Sequence, residues 1–156
     1  MTDDSPILSH DSTVSLREVT AETVRTICKL DVSEAQKHFV APNSFSIAEA
    51  YFESKAWFRA IYADETPVGF LMLYDDPDKS DYFLWRYMID ERYQKLGFGR
   101  RAMDLLLEYV RTRPGALELR LSCHPGEAGP EPFYRRYGFT LTGNWLEGEA
   151  EMRINL

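Results

Sequence analysis

The sequence predicts a single-domain α/β protein: a mixed, mostly antiparallel central sheet of about seven strands, with about four helices. Three observations carry this prediction. The chain has 156 residues, the length of one domain with a sizeable core. Its first half holds strand-like runs joined by short turns, the pattern of an antiparallel meander. Its second half alternates strand and helix, and a strand–helix–strand crossover requires two parallel strands.

Residues 1–12, MTDDSPILSHDS, are polar and acidic and read as a flexible arm, with the domain spanning 13–156. VSLREV (14–19) alternates and reads as a strand. Thr20 stands as an N-cap before AETVRTICKL, where Val24, Ile27 and Cys28 fall on one helical face. A second helical stretch surrounds SEAQKHF and ends at Pro42-Asn43. Ser46 and Glu49 have capping-box spacing for a helix over IAEAYFESK. WFRAIYA (57–63) and VGFLMLY (68–74) read as strands joined by a turn at 64–67, and DDPDKSD (75–81) as a loop. YFLWRYMI (82–89) is almost wholly apolar, as a strand buried on both faces would be. From Gly99 the spacing of Met103, Leu106, Leu107 and Val110 is helical, and Pro114-Gly115 stops it. ALELRLSC (116–123) is the next strand, HPGEAGPEP a loop, and 132–137 a short helix ending at Gly138. FTLTGNW and EAEMRINL close the chain as a hairpin around Glu147-Gly148.

Composition narrows the function. With 18 basic and 25 acidic residues, the formal net charge is −7. Such a chain is a poor partner for nucleic acid or an anionic membrane. The arm lacks the basic and apolar regions of a signal peptide. No apolar run approaches the ~18 residues of a spanning helix. A soluble cytoplasmic protein is expected. Cys28 and Cys123 show no metal spacing and read as reduced thiols, so no metal is expected.

RYQKLGFGRR (92–101) runs against the acidic trend, with four basic residues and no acid. Gly97-x-Gly99-x-x-Ala102 fits a dinucleotide fingerprint in letters, with Glu118 about 20 residues on. The polar stretch DERYQKL, however, separates it from its strand, and too little chain follows for a dinucleotide fold. A Walker A loop would need Gly-Lys-Ser/Thr, which is absent. The remaining reading is a loop whose successive backbone N–H groups, ending at a helix N-terminus, wrap a pyrophosphate.

Gln94-x-x-Gly97-x-Gly99, after a strand and opening an amphipathic helix, resembles the acetyl-CoA signature of the GNAT acyltransferase superfamily. PFYRRYGF (132–139) resembles that superfamily's second signature. The order of elements is also the superfamily's, and the likeness spans the chain from about residue 14. Within the superfamily, FLWRYMIDERYQKLGFG looks most like bacterial polyamine (spermidine/spermine-type) acetyltransferases.

The resemblance implies a parallel strand pair that splays at the acyl-CoA site. Tyr87, Met88 and Ile89 would offer freed backbone to the pantetheine arm, and Met88 and Ile89 an N–H for the oxyanion. Gln94, Lys95, Leu96, Gly97, Phe98, Gly99, Arg100 and Arg101 would hold the pyrophosphate, the arginines as charge-assisted donors. Tyr134 would be the general acid for the departing thiolate, and Tyr137 a packing residue. Glu127 stands where many members carry an asparagine that contacts pantetheine. Glu34, His38, Glu147 and Glu149 are candidates for the acceptor site or its base. Trp85 stands where polyamine enzymes tend to place an acid, and would instead offer a cation–π wall. The implied activity is acetyl transfer from acetyl-CoA to a small primary amine, a polyamine or diamine first, by direct attack in a ternary complex. The alternatives are an amino acid, an aminoglycoside or a protein N-terminus as acceptor, or a CoA-binding module without catalysis. A homodimer through the C-terminal hairpin is implied by the same resemblance.

Overall fold

Seven strands form one sheet in the order β1-β2-β3-β4-β5-β7-β6. The computed structural model describes residues 7–156, so part of the predicted arm, 1–6, lies outside the described residues. In the described part of the predicted arm, Leu8 touches the core and Ser12 is buried at the end of a turn that its own hydroxyl closes onto the Ser9 amide, while Ser9, His10 and Asp11 are exposed.

The meander comprises β1 (Val14–Arg17), β2 (Ala56–Ala63), β3 (Thr66–Asp76) and β4 (Asp81–Ile89), each antiparallel to the next. β4 then runs parallel to β5 (Glu118–Cys123) across the crossover helix α3 (Phe98–Arg111). β6 (Thr140–Leu146) and β7 (Glu149–Asn155) form the closing hairpin. Its turn residues Glu147 and Gly148 are both left-handed, at φ 49° and 84°, which matches the twist of a two-residue hairpin. Helices α1 (Val24–Lys29) and α2 (Asn43–Tyr51) cover one face of the sheet. Helix α3 and the short α4 (Glu131–Tyr137) cover the other. Among the described residues no helix is long and apolar enough to cross a membrane.

Three local readings are corrected. Thr20 does not cap α1; the N-cap is Thr23, and Thr20 closes the preceding turn through its carbonyl. Ser46 does not start α2. The helix begins directly after Pro42, and Ser46 lies inside it, fully buried, with its hydroxyl bonded back to the Pro42 carbonyl. The capping box is instead Ser33 with Gln36, at the head of a 3-10 helix over Glu34–Phe39.

β4 is not buried evenly on both faces. Met72 pairs with Arg86 and Leu73 with Leu84, so Trp85 is an extra residue, a β-bulge. The bulge inverts the alternation along the strand. Tyr82 and Leu84 before it share the α3-side core with Tyr87 and Ile89 after it, while Met88 joins the α1–α2 core. Trp85 and Arg86 both end on the α1–α2 face: Trp85 packs there, and Arg86 donates to Glu49 of α2 at 2.9 Å.

Candidate active site

Only Phe83–Arg120 and Leu84–Leu121 pair across β4 and β5. Beyond Leu84 the two strands part. A cleft of about 1720 Å³ opens at the gap and continues along the start of α3 on one side and past α2 and the β6–β7 turn on the other.

The freed backbone of β4 can be read group by group. The Asp90 amide donates to Val68 of β3. Polar groups alternate sides along a strand, so Met88 also faces β3, and Tyr87 and Ile89 face the gap. A Cβ on Gly69 of β3 would lie 2.4 Å from the Met88 carbonyl oxygen, which fixes that carbonyl's direction independently. Met88, expected to offer its N–H to the site, therefore turns it into the sheet, and Ile89 presents the free one. The Ile89 carbonyl is taken by Gln94 Nε2 at 2.9 Å. The Tyr87 side chain leaves the cleft chemistry altogether: its hydroxyl donates to the Gly99 carbonyl, holding the start of α3 against β4.

The loop before α3 turns sharply. Lys95 and the N-cap Gly97 are both left-handed, at φ 67° and 81°. Only glycine adopts this at little cost. The first intrahelical bond runs from the Arg101 amide to the Gly97 carbonyl, so the amides of Phe98, Gly99 and Arg100 stay free at the positive end of a fourteen-residue helix. The side chains of Leu96 and Phe98 belong to the core. Of the four basic residues in this stretch, two are committed elsewhere. Arg92 is bound to Asp90 at 2.9 Å, and Arg101 donates to the Ser12 carbonyl away from the cleft. Lys95 and Arg100 line the cleft, and Arg136 of α4 joins them.

Asp90 supports this loop from below. It is 3% exposed and accepts from the amides of Asp31 and Arg92 and from the Arg92 side chain. Burial works to raise its pKa, but the Arg92 side chain and the two amides together outweigh it, and the net shift is downward. A carboxylate depressed in the folded state stabilises above its unfolded pKa, ~3.9, and that contribution is lost as pH falls through the lower folded value. Because Arg92 is largely exposed, its share is screened. Asp90→Asn is expected to cost about 1–2 kcal/mol at pH 7. The penalty should shrink when urea unfolding is repeated at pH 3, whereas a purely steric defect would persist.

Across the gap, Tyr134 sits on α4, 7% exposed, between the rings of Phe133 and Phe139 at 5.5 and 5.6 Å. Burial raises its pKa well above the ordinary tyrosine value, with smaller contributions from Cys123 and Glu149. It thus keeps its proton throughout the neutral range and lines the cleft as a donor. Tyr137 packs on the core and bonds to Asp104 outside the cleft. Cys123 also lines the cleft, but burial foremost, then Glu131 and Glu149, pushes its thiol up to about 11, and among the described residues no base pairs with it. A thiol so held is not a nucleophile at neutral pH.

His38, Trp85, Glu127, Glu147 and Glu149 all line the cleft; Glu34 does not, being exposed and paired with Lys37 at 2.7 Å. The far half of the cleft adds Phe39, Phe45, Glu49, Arg86, Ser122 and Trp145, which no motif marked.

The profile of the acetyltransferase (GNAT) family matches residues 24–139. The chain belongs to this family. It is a GNAT-type acyltransferase, and its seven-stranded sheet with a splayed parallel pair is that fold. Spermine/spermidine N(1)-acetyltransferase of Bacillus subtilis is 25% identical over 150 residues, covering 89% of this chain and 96% of that one. L-2,4-diaminobutyric acid acetyltransferase of Streptomyces avermitilis is 30% identical over 76 residues, 48% of this chain and 42% of that one. Among solved structures, the PaiA N-acetyltransferase of Thermoplasma acidophilum in complex with coenzyme A superposes with a TM-score of 0.68 at 16% identity, covering 92% and 99% of the two chains. That last likeness is one of fold.

Proposed function

We propose that this acetyltransferase moves the acetyl group of acetyl-CoA to the primary amine of a small cationic acceptor, a polyamine or diamine first. The observation that carries the reading is the parting of β4 from β5 directly beside a buried, protonated Tyr134. The residues present suit the group. The free amides at the start of α3, with Lys95, Arg100 and Arg136 around them, match a pyrophosphate. The gap between the strands admits an extended arm that can pair with the backbone of Tyr87 and Ile89, and Glu127 lies on the rim of the same gap. Acetyl-CoA supplies an activated thioester; the protein orients it, polarises its carbonyl and gives a proton to the sulfur. The Ile89 N–H faces the point where charge builds on the carbonyl oxygen. Tyr134 donates to the leaving thiolate, whose conjugate acid resembles a cysteine thiol of pKa ~8.5. Holding amine and thioester together supplies much of the remaining acceleration.

The acceptor half of the cleft supports a cation. Glu147 and Glu149 stand among Phe39, Phe45, Trp85 and Trp145, with Glu49 held by Arg86 on the same wall, an arrangement of acids and aromatic faces that suits alkylammonium groups. The B. subtilis relative, named for spermine and spermidine, points the same way. Arg86 favours a second reading, a diamino acid whose carboxylate would meet the guanidinium on the cleft wall; the S. avermitilis relative, named for L-2,4-diaminobutyric acid, agrees with it. Thiol release from acetyl-CoA with spermidine, spermine, putrescine, 2,4-diaminobutyrate, lysine and an aminoglycoside tests both. Saturable release with polyamines alone is expected. Release with 2,4-diaminobutyrate alone would replace the first reading by the second. Silence across the panel with CoA still bound would overturn both.

A further inference from the structure

An alkylammonium cannot attack a carbonyl until it loses a proton, and Tyr134, holding its own proton, cannot take it. We propose that Glu149 is the base that takes this proton and that His124 passes it to solvent. The inference rests on the acetyltransferase reading above.

The alternation of two neighbouring strands places the pair. On β5, Leu119, Leu121 and Cys123 point into the α3-side core; on β7, Ala150 and Met152 do the same, Met152 within the core cluster itself. Ser122, His124 and Glu149 consequently lie on the opposite face, the one that carries the acceptor half of the cleft. There Ser122 Oγ donates to Glu149 Oε1 at 3.3 Å, and His124 Nε2 lies 3.9 Å from Glu149 Oε2. Glu149 is a third exposed and lines the cleft, while His124 is half exposed and opens to solvent. The His124 ring is held edge-on by Phe39 at 5.6 Å. Tyr134 stands on the α3 side of the gap. Acid and base therefore address the reacting carbon from opposite faces of the sheet and cannot exchange protons directly.

The other acids near the cleft are committed or badly placed. Glu49 Oε1 is bound by Arg86. Glu151 is bound by Arg120, Thr142 and Asn144. Glu147 sits exposed on the hairpin turn and Glu127 exposed on the loop before α4. The titratable groups around Glu149 are Cys123 at the end of β5 and His124 directly after it, Tyr134 and Glu131 from α4, and Glu147 and Glu151 from its own hairpin. Among the described residues no lysine or arginine lies within ion-pair distance of Glu149. Beyond the Ser122 hydroxyl on Oε1, its carboxylate is available to an incoming ammonium.

The protons balance. The ammonium loses one proton to Glu149; Glu149 Oε2 and His124 Nε2 stand 3.9 Å apart, so a bridging water carries the proton on to His124 and from there to solvent, and this is the proton the reaction releases. The C–N bond forms and the C–S bond breaks, with Tyr134 giving its proton to the sulfur. The second N–H proton, shed as the amide forms, restores Tyr134.

The test is the pH dependence of kcat/KM for wild type, Glu149→Gln and His124→Gln with the best acceptor of the panel, spermidine on the present reading, together with CoA affinity by calorimetry. Glu149→Gln is expected to lose about 10²-fold at pH 7. Its ratio to wild type should climb towards 1 as pH approaches the pKa of an alkylammonium, ~10.4, where the solvent deprotonates the amine unaided. His124→Gln should show the same trend at smaller amplitude, and CoA affinity should be unchanged in both. A deficit that stays constant with pH would mark a structural role and overturn the proposal, as would full activity of Glu149→Gln at pH 7. Wild type inactive with every amine would instead overturn the parent reading, and this one with it.

Discussion

Tyr134→Phe is expected to lower kcat by about 10²–10³-fold, the range for removing a positioned general acid. CoA affinity and melting temperature should hardly move. The ring packs between Phe133 and Phe139, and phenylalanine keeps that packing. Among the described residues no side chain or backbone group bonds to the Tyr134 hydroxyl, so deleting it leaves no buried partner unsatisfied. The loss should fall on turnover, because the proton is needed only once the C–S bond is breaking. The alkaline limb of the wild-type profile should also show no ionisation of Tyr134 near the ordinary tyrosine pKa of ~10, since burial holds its value well above that. Steady-state kinetics, calorimetry with CoA and a thermal melt decide the matter together. Unchanged turnover would remove Tyr134 from the chemistry.

Gly69→Ala should damage both stability and turnover. Gly69 lies on β3 opposite Ile89, and an added Cβ would meet the Met88 carbonyl oxygen at 2.4 Å, Ile89 Cδ1 at 2.8 Å and Ile61 Cδ1 at 3.2 Å. Glycine to alanine in a strand ordinarily gains stability through a stiffer unfolded chain. Here the nearest obstacle is backbone, which cannot rotate aside, so overpacking at about 1–3 kcal/mol dominates. At about 2–4 °C per kcal/mol for a chain of this size, the melting temperature should fall by roughly 2–12 °C. The displaced backbone is the strand that carries the free Ile89 N–H, and a shift of about 1 Å at a reacting centre can cost ~10²-fold. A stable Gly69→Ala variant with wild-type kcat would show that the Met88–Ile89 backbone does not set the site.

These two variants separate two kinds of legibility. Tyr134 could be picked out in the sequence because its surroundings are local: a short helix after a proline-rich loop, ended by Gly138 and followed by a strand. Gly69 could not. It is one apolar-run glycine among strand residues, and the carbonyl that forbids a side chain there is 19 residues away on another strand.

The same division runs through the whole molecule. Periodicity and turn chemistry are short-range, and they made the order of strands and helices, the crossover, the closing hairpin and the glycine loop that opens α3 legible in the residues alone. Long-range packing decided the rest. Arg101 looks equivalent to Lys95 and Arg100 in the sequence; Ser12 withdraws it across 89 positions. The run YFLWRYMI carries no mark of the bulge at Trp85, because a bulge is a count between two strands and exists only once β3 is beside β4. It decides that Arg86 meets Glu49 and that Ile89, not Met88, offers its amide to the gap. Ser122, His124 and Glu149 likewise share no motif. They became one group only when β7 inserted beside β5, and strand alternation left all three on the sheet face opposite α3.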